Sequence, residues 1–214
     1  MRKIIFLFAV ICAMSCGVKQ TRTMVESGDY DAAVTKAVRK LQGDKDAKGK
    51  QEYVYLLEEA FAKAKERDTQ DIAMWFKDGK PSDLERIYNA YVKLNARQQQ
   101  VKPLLPLKLI KENRAANFAF EDYSDQIISS KNVLSKYLYT NSKALVMTND
   151  KMGNRRAYDD LKYLNGINPN FKDVSQLMQE AQNKGTDFVN VYAKNQTGMM
   201  IPYRLQEEIG RAHV

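Results

Sequence analysis

The sequence predicts an all-α chain of helical hairpins, followed by the opening of a β-containing second domain. Three observations carry this. Between Gly153 and Ala181, apolar residues recur every three or four positions on either side of an Asn168-Pro169-Asn170 corner. That spacing gives each helix a stripe that must be buried. A second turn signal, Gly28-Asp29, separates two shorter runs of the same kind. After Gly185 the pattern switches to Asp187-Phe188-Val189-Asn190-Val191-Tyr192-Ala193-Lys194-Asn195, whose near alternation of β-branched and aromatic residues favours a strand.

The chain opens with Arg2 and Lys3, then the apolar run Ile4 to Met14, then Ser15-Cys16-Gly17. A charged start, a short apolar stretch and small residues form a secretion signal, and the run is too short to span a bilayer comfortably. Cys16 after a small residue resembles the processing site of bacterial lipoproteins, in the relaxed form seen in Bacteroidota. The resemblance implies a signal peptide over 1–16, lipidation of Cys16 and anchoring in the outer membrane. An ordinary secretion signal with an incidental Cys is the competing reading. Acyl chains on one Cys hold firmly, since each buried methylene contributes about 0.8 kcal/mol. Residues 17–22 read as a polar tether. They hold no acidic cluster of the kind that surface-exposed lipoproteins of that phylum carry, which favours the periplasmic face.

From 23 to 185 the chain reads as one helical domain. The turn at Gly28-Asp29-Tyr30-Asp31 needs glycine for reversal, and the small Ala33 lets two helices approach. Gly43 to Lys50 is a solvated loop: its spacing fails a phosphate loop, and Lys48 and Tyr55 stand where a calcium loop needs ligands. Gln51 to Arg67 is a helix with Val54, Leu57, Phe61 and Ala64 as its stripe, and Thr69 to Phe76 is a short separate one. Gly79-Lys80-Pro81 stops it. Ser82 and Glu85 read as a capping box for a helix striped by Leu84, Ile87, Tyr88, Tyr91 and Leu94, with Gln98-Gln99-Gln100 as its frayed polar end. Pro103 and Pro106 make a corner, and Leu107 to about Tyr139 reads as helical throughout. Helix continues over Asn141 to Asp150, and Lys151-Met152-Gly153-Asn154 is the turn before the best-formed hairpin. There Ala157, Leu161, Leu164 and Ile167 share a face, as do Phe171, Val174, Met178 and Ala181.

Gly28-Asp29-Tyr30-Asp31 with Ala33, and Gly153 with Ala157, Leu161, Leu164 and Pro169, resemble the tetratricopeptide repeat. Lys40 and Leu164 depart from its small-residue positions. Gly28 and Gly153 lie 125 residues apart, not a multiple of that family's repeat of about 34. The resemblance implies tetratricopeptide-like hairpins in an α-solenoid rather than a regular array, with protein or peptide recognition on a concave face.

Residues 186–208 read as the start of a truncated second domain. Ile209-Gly210-Arg211-Ala212-His213-Val214 resembles the in-frame translation of a common sequencing adapter, so 209–214 is expected to be an adapter-derived tail. Its removal takes the one His, Cys12 leaves with the signal, and Cys16 is expected to be acylated. No imidazole or free thiol then remains in the expected mature fragment. Without Arg2, Lys3 and Arg211 the basic count falls from 34 to 31 against 26 acids, and the net charge from +8 to +5. That is too mild for a nucleic-acid binder.

Adjacent carboxylates at Glu58-Glu59, Glu121-Asp122 and Asp159-Asp160 read as solvated helix faces, because helix neighbours point about 100° apart and do not face each other. No cofactor, metal or catalytic set is expected. Four residues are candidates for partner contact: Tyr158 and Tyr163, from a tyrosine-rich chain in which most rings serve packing, and Arg155 and Arg156. The two arginines stand where a helix begins, a place its dipole disfavours for cations. The lipoprotein and tetratricopeptide-like resemblances imply a non-enzymatic envelope scaffold for a protein or peptide. The alternative is a substrate-positioning module of a hydrolase or a glycan-uptake lipoprotein.

Overall fold

The structure, a computed structural model, describes residues 17–148, 150–189 and 200. It is all-α: seven helices among the described residues and one two-residue hairpin. The chain divides into two compact units, Met1–Tyr137 and Leu138–Val214.

The first unit begins with α1, residues 17–26, where a polar tether was expected. The helix forms because Thr21 and Val25 are buried, giving this polar stretch an inward face. Gly28, at φ +83°, reverses the chain, and the Asp29 carboxylate caps α2 (Tyr30–Leu41) by accepting from the Ala32 amide. α2 buries Ala33, Val34, Ala37, Val38 and Leu41 against α3 (Gln51–Asp78). The loop before α3 is largely exposed, and its Lys45 ammonium reaches the carbonyls of Leu104 and Pro106.

α3 runs unbroken for 28 residues, whereas two helices were expected. No breaker lies at the supposed joint. Instead of starting a new helix, Asp68 turns inward, and the Thr69 hydroxyl donates back to the Glu66 carbonyl at 3.1 Å. Gly79, left-handed at φ 63°, ends the helix as expected. The capping box at Ser82 does not form. Ser82 is already helical (φ −62°, ψ −18°), so its hydroxyl makes no cap bond, and Asp83 is buried instead beside Arg86.

α4 (Asp83–Val101) buries Ile87, Ala90 and Leu94, and then Arg97, Gln98 and Val101, where a frayed end was expected. Gln98 exchanges two bonds with the Glu121 backbone, Nε2 to the carbonyl at 2.9 Å and amide to Oε1 at 2.7 Å. Arg97 joins a buried ionic hub with Asp31 of α2 and Asp68 of α3, to which Arg67 and Lys93 also contribute.

Leu107 to Tyr123 is not helical, against expectation. β1 (Lys108–Leu109) pairs antiparallel with β2 (Arg114–Ala115), with Lys108 opposite Ala115. An extended strap then runs to Tyr123. Burial alternates here, with Leu107, Leu109 and Phe118 inward and Lys108, Ile110 and Asn117 outward. A period of two is incompatible with a helix facing the same core. Phe118 and Phe120 meet Phe61 edge-on at 5.4 and 5.5 Å, and Glu58 clamps the strap through Arg114 and the Asn117 amide. α5 (Ser124–Val146) follows, and the boundary between the units falls inside it.

In the second unit α5 ends at Val146, and the expected turn at 151–154 is displaced. Asp150 caps α6 (Lys151–Ile167) by accepting from the Met152 and Gly153 amides, so those residues form its first turn. α6 buries Ala157, Leu161 and Leu164 against Val174, Leu177 and Ala181 of α7 (Val174–Gly185). This hairpin matches expectation except that Leu177, not the half-buried Met178, faces inward. Its corner holds Asn170 and Lys172 in left-handed conformation, and the Tyr139 hydroxyl donates to Asp173 at 2.7 Å.

Asp187 to Val189 carry no regular structure, and the rest of the expected strand lies outside the described residues. The same holds for the signal, Cys16, and the tail at 209–214.

Candidate functional site

Two concavities, one in each unit, are candidate sites. In the first unit a groove of about 340 Å³ opens between the end of α3, the first half of α4 and the first half of α5. Its apolar floor comes from Leu84, Ile87 and Tyr91, spaced three and four residues apart on α4, with Phe76 from α3. The facing wall is α5: Asp125, Ser129 and Val133 at intervals of four, with Gln126 and Ser130 beside them. The Asp122 carboxylate fixes where α5 starts by accepting from the Ser124 amide and hydroxyl, at 2.9 and 2.6 Å. These bonds also hold the Asp122 carboxyl below its ordinary range.

Beneath the floor Ile72, Ala90, Leu94 and Tyr123 form a small core, with Trp75, Tyr91 and Ile127 packed against it. Burial, with the Glu121 carboxylate nearby, pushes the Tyr123 phenol up to about 12, so it stays neutral. The Tyr91 and Tyr123 rings lie 6.1 Å apart. At the rim, Phe76 is 59% exposed and Val133 50%. Aromatic and aliphatic side chains are thus left in water around an apolar floor.

In the second unit a wider concavity of about 520 Å³ lies between α6 and α7, lined by Arg155, Tyr158, Asp159, Gln182, Thr186 and Asp187 among others. It brings together Arg155 and Tyr158, two of the four residues singled out from sequence. Arg156, exposed, and Tyr163, half-buried, are not on its lining. Arg155 is already engaged: Nε donates to the Gly185 carbonyl at 2.7 Å and the guanidinium meets Asp187 at 2.6 Å. Lys151 reaches the same carboxylate, and the two cations hold Asp187 below its ordinary range. A cation near the start of α6 is therefore explained by the end of α7, whose terminal carbonyl and dipole it serves.

Three of the adjacent carboxylates are also committed. Glu58 binds Arg114, Glu59 pairs with Lys63, and Glu121 pairs with Lys65. Among the described residues no group of His, Cys, Asp and Glu could hold a metal ion, and no helix is long and apolar enough to cross a membrane.

The α4 half of the groove was visible as a stripe in the sequence. The α5 half was hidden by reading a continuous helix from Leu107. Asp122-x-Ser124 was the signal for where that helix starts.

No family model matches the chain, and no curated protein or solved structure gives a significant match to it.

Proposed function

We propose that this chain is an envelope lipoprotein, anchored to the outer membrane through acylated Cys16, whose helical domain holds a protein or peptide partner. The reading keeps the tetratricopeptide-like resemblance of its hairpins. The observation that carries it is the groove at Leu84, Ile87 and Tyr91, because its apolar lining continues outward onto the exposed Phe76 and Val133. Small-molecule sites enclose most of their ligand, whereas a trough open along its rim suits a segment of polypeptide.

The test is a photo-crosslinking side chain placed at Ser129 in cells that make the whole chain. The expected result is a discrete adduct with one envelope protein, lost when Phe76→Asp is added. Equal labelling with and without that substitution counts against the groove. Fractionation of the same cells tests the anchor: Cys16→Ser is expected to release the chain from the membrane, and persistent membrane association counts against acylation.

A further inference from the structure

We infer that the groove receives a cationic amphipathic segment of a partner protein, seated with a lysine or arginine against Asp125. This rests on the peptide-binding reading above and specifies its chemistry. The two walls differ in kind. The α3 and α4 side offers Phe76, Leu84, Ile87 and Tyr91, while Asp125 is the one charged group on the lining. An occupant must therefore be apolar along one edge and polar along the other.

Asp125 fixes the sign of that polar edge. It stands in the first turn of α5, on the wall that faces the apolar floor. No ion pair to it exists among the described residues. Two cations of the neighbouring α3–α4 turn are already taken, Arg86 by Asp83 and Lys80 by Asp78, each at 3.0 Å. A partner that covered Asp125 without a counter-charge would leave a desolvated, unpaired carboxylate, which is strongly unfavourable. A lysine or arginine removes that penalty, and an acidic partner adds to it. The Ser130 hydroxyl is committed to the Gln126 carbonyl at 2.6 Å, so it offers little competing polar recognition.

Asp125 and Val133 stand two helical turns apart, about 12 Å. A helix of comparable length can place one cation and two apolar anchors along the trough. The chain as a whole carries +8, so its overall field does not draw cations. Capture of a cationic peptide would report the local carboxylate.

The experiment uses the full chain and two labelled helical peptides of about fourteen residues. One has a leucine face and lysines elsewhere, and the other carries glutamates in place of the lysines. Fluorescence anisotropy reads their affinities. The lysine peptide is expected to bind about ten-fold more tightly, the order of one charge-assisted contact. Asp125→Asn, with its fold checked by circular dichroism, is expected to abolish that preference. Phe76→Ser and Val133→Ser, both at exposed positions, are expected to weaken both peptides. Equal affinities that ignore Asp125→Asn overturn the cationic partner and leave the groove reading standing. Binding that ignores Phe76→Ser and Val133→Ser, or no binding of either peptide, overturns both. Self-association abolished by Phe76→Ser also overturns the inference, in favour of a second copy of this chain.

Discussion

Arg97 of α4 donates to Asp68 of α3 at 2.5 Å, with side chains only 3% and 7% exposed. The same guanidinium reaches Asp31 of α2 at 2.7 Å, so one side chain ties three helices. Removing it strips the buried Asp68 Oδ2 of its partner and leaves Arg67, on Oδ1, as the carboxylate's remaining cation. Arg97→Ala is expected to cost about 3–5 kcal/mol, the range for breaking a buried pair from one side. Urea unfolding followed by the single Trp75, which lies in the same unit, reads this out. Lys93→Ala is the contrast. Lys93 is 49% exposed and shares Asp31 with two arginines, so its loss is expected to stay below about 1 kcal/mol.

Asp31 also sets an acid limit. Burial raises its proton affinity, but bonds from Lys93, Arg97 and Arg67 outweigh burial and hold the carboxyl well below the ordinary value of 3.8. In the unfolded chain it takes up a proton near 3.8, while in the folded chain it remains ionised. The stabilisation is fully present above that value and is lost as pH falls below it toward the folded value. The unfolding midpoint of the first unit is expected to fall steeply below about pH 4. Asp31→Asn should be less stable at neutral pH, with a shallower acid slope. An unchanged slope would show that Asp31 is not the group responsible.

Gln98 acts as a staple between α4 and the strap. Gln98→Leu removes both of its bonds to the Glu121 backbone and is expected to cost about 1–3 kcal/mol. Faster hydrogen exchange at the Glu121 amide would localise the loss.

Two glycines of the second unit should respond with opposite signs. A Cβ on Gly185 would meet the Arg155 backbone nitrogen at 3.3 Å and its Cγ at 3.1 Å. Gly185→Ala is therefore expected to destabilise α6 against α7 by about 1–3 kcal/mol. Gly166, inside α6, faces open space, and Gly166→Ala is expected to stabilise by about 0.5–1 kcal/mol. Amide exchange across α6 and α7 measures both.

What was legible in the sequence follows the kind of force involved. Val54, Leu57, Phe61 and Ala64, or Ala157, Leu161 and Leu164, announce themselves because apolar burial repeats with the helix. Turns at Gly28 and Gly79 are equally plain, since left-handed backbone leaves a residue-type signature. Asp68, Arg97 and Gln98 look like surface residues, because their partners lie on elements remote in sequence. Ala116-Asn117-Phe118-Ala119-Phe120 did carry a period of two, yet it lay between stretches that favour helix. Of the four residues proposed for contact, Arg155 and Tyr158 share a surface. No local pattern could reveal that Arg155 is already held by Gly185 and Asp187.

The strap has a consequence for the order in which this protein is made. The Phe61 side of α3 stays open until Phe118 and Phe120 arrive more than fifty residues later, and Glu58 waits 56 positions for Arg114. Synthesis therefore delivers α1, α2 and α3 with an uncovered apolar flank, and the nascent chain must carry it until roughly residue 120 has left the ribosome. A chain ending at the Pro106 corner would keep that flank for good, which makes this boundary a poor place to cut the protein.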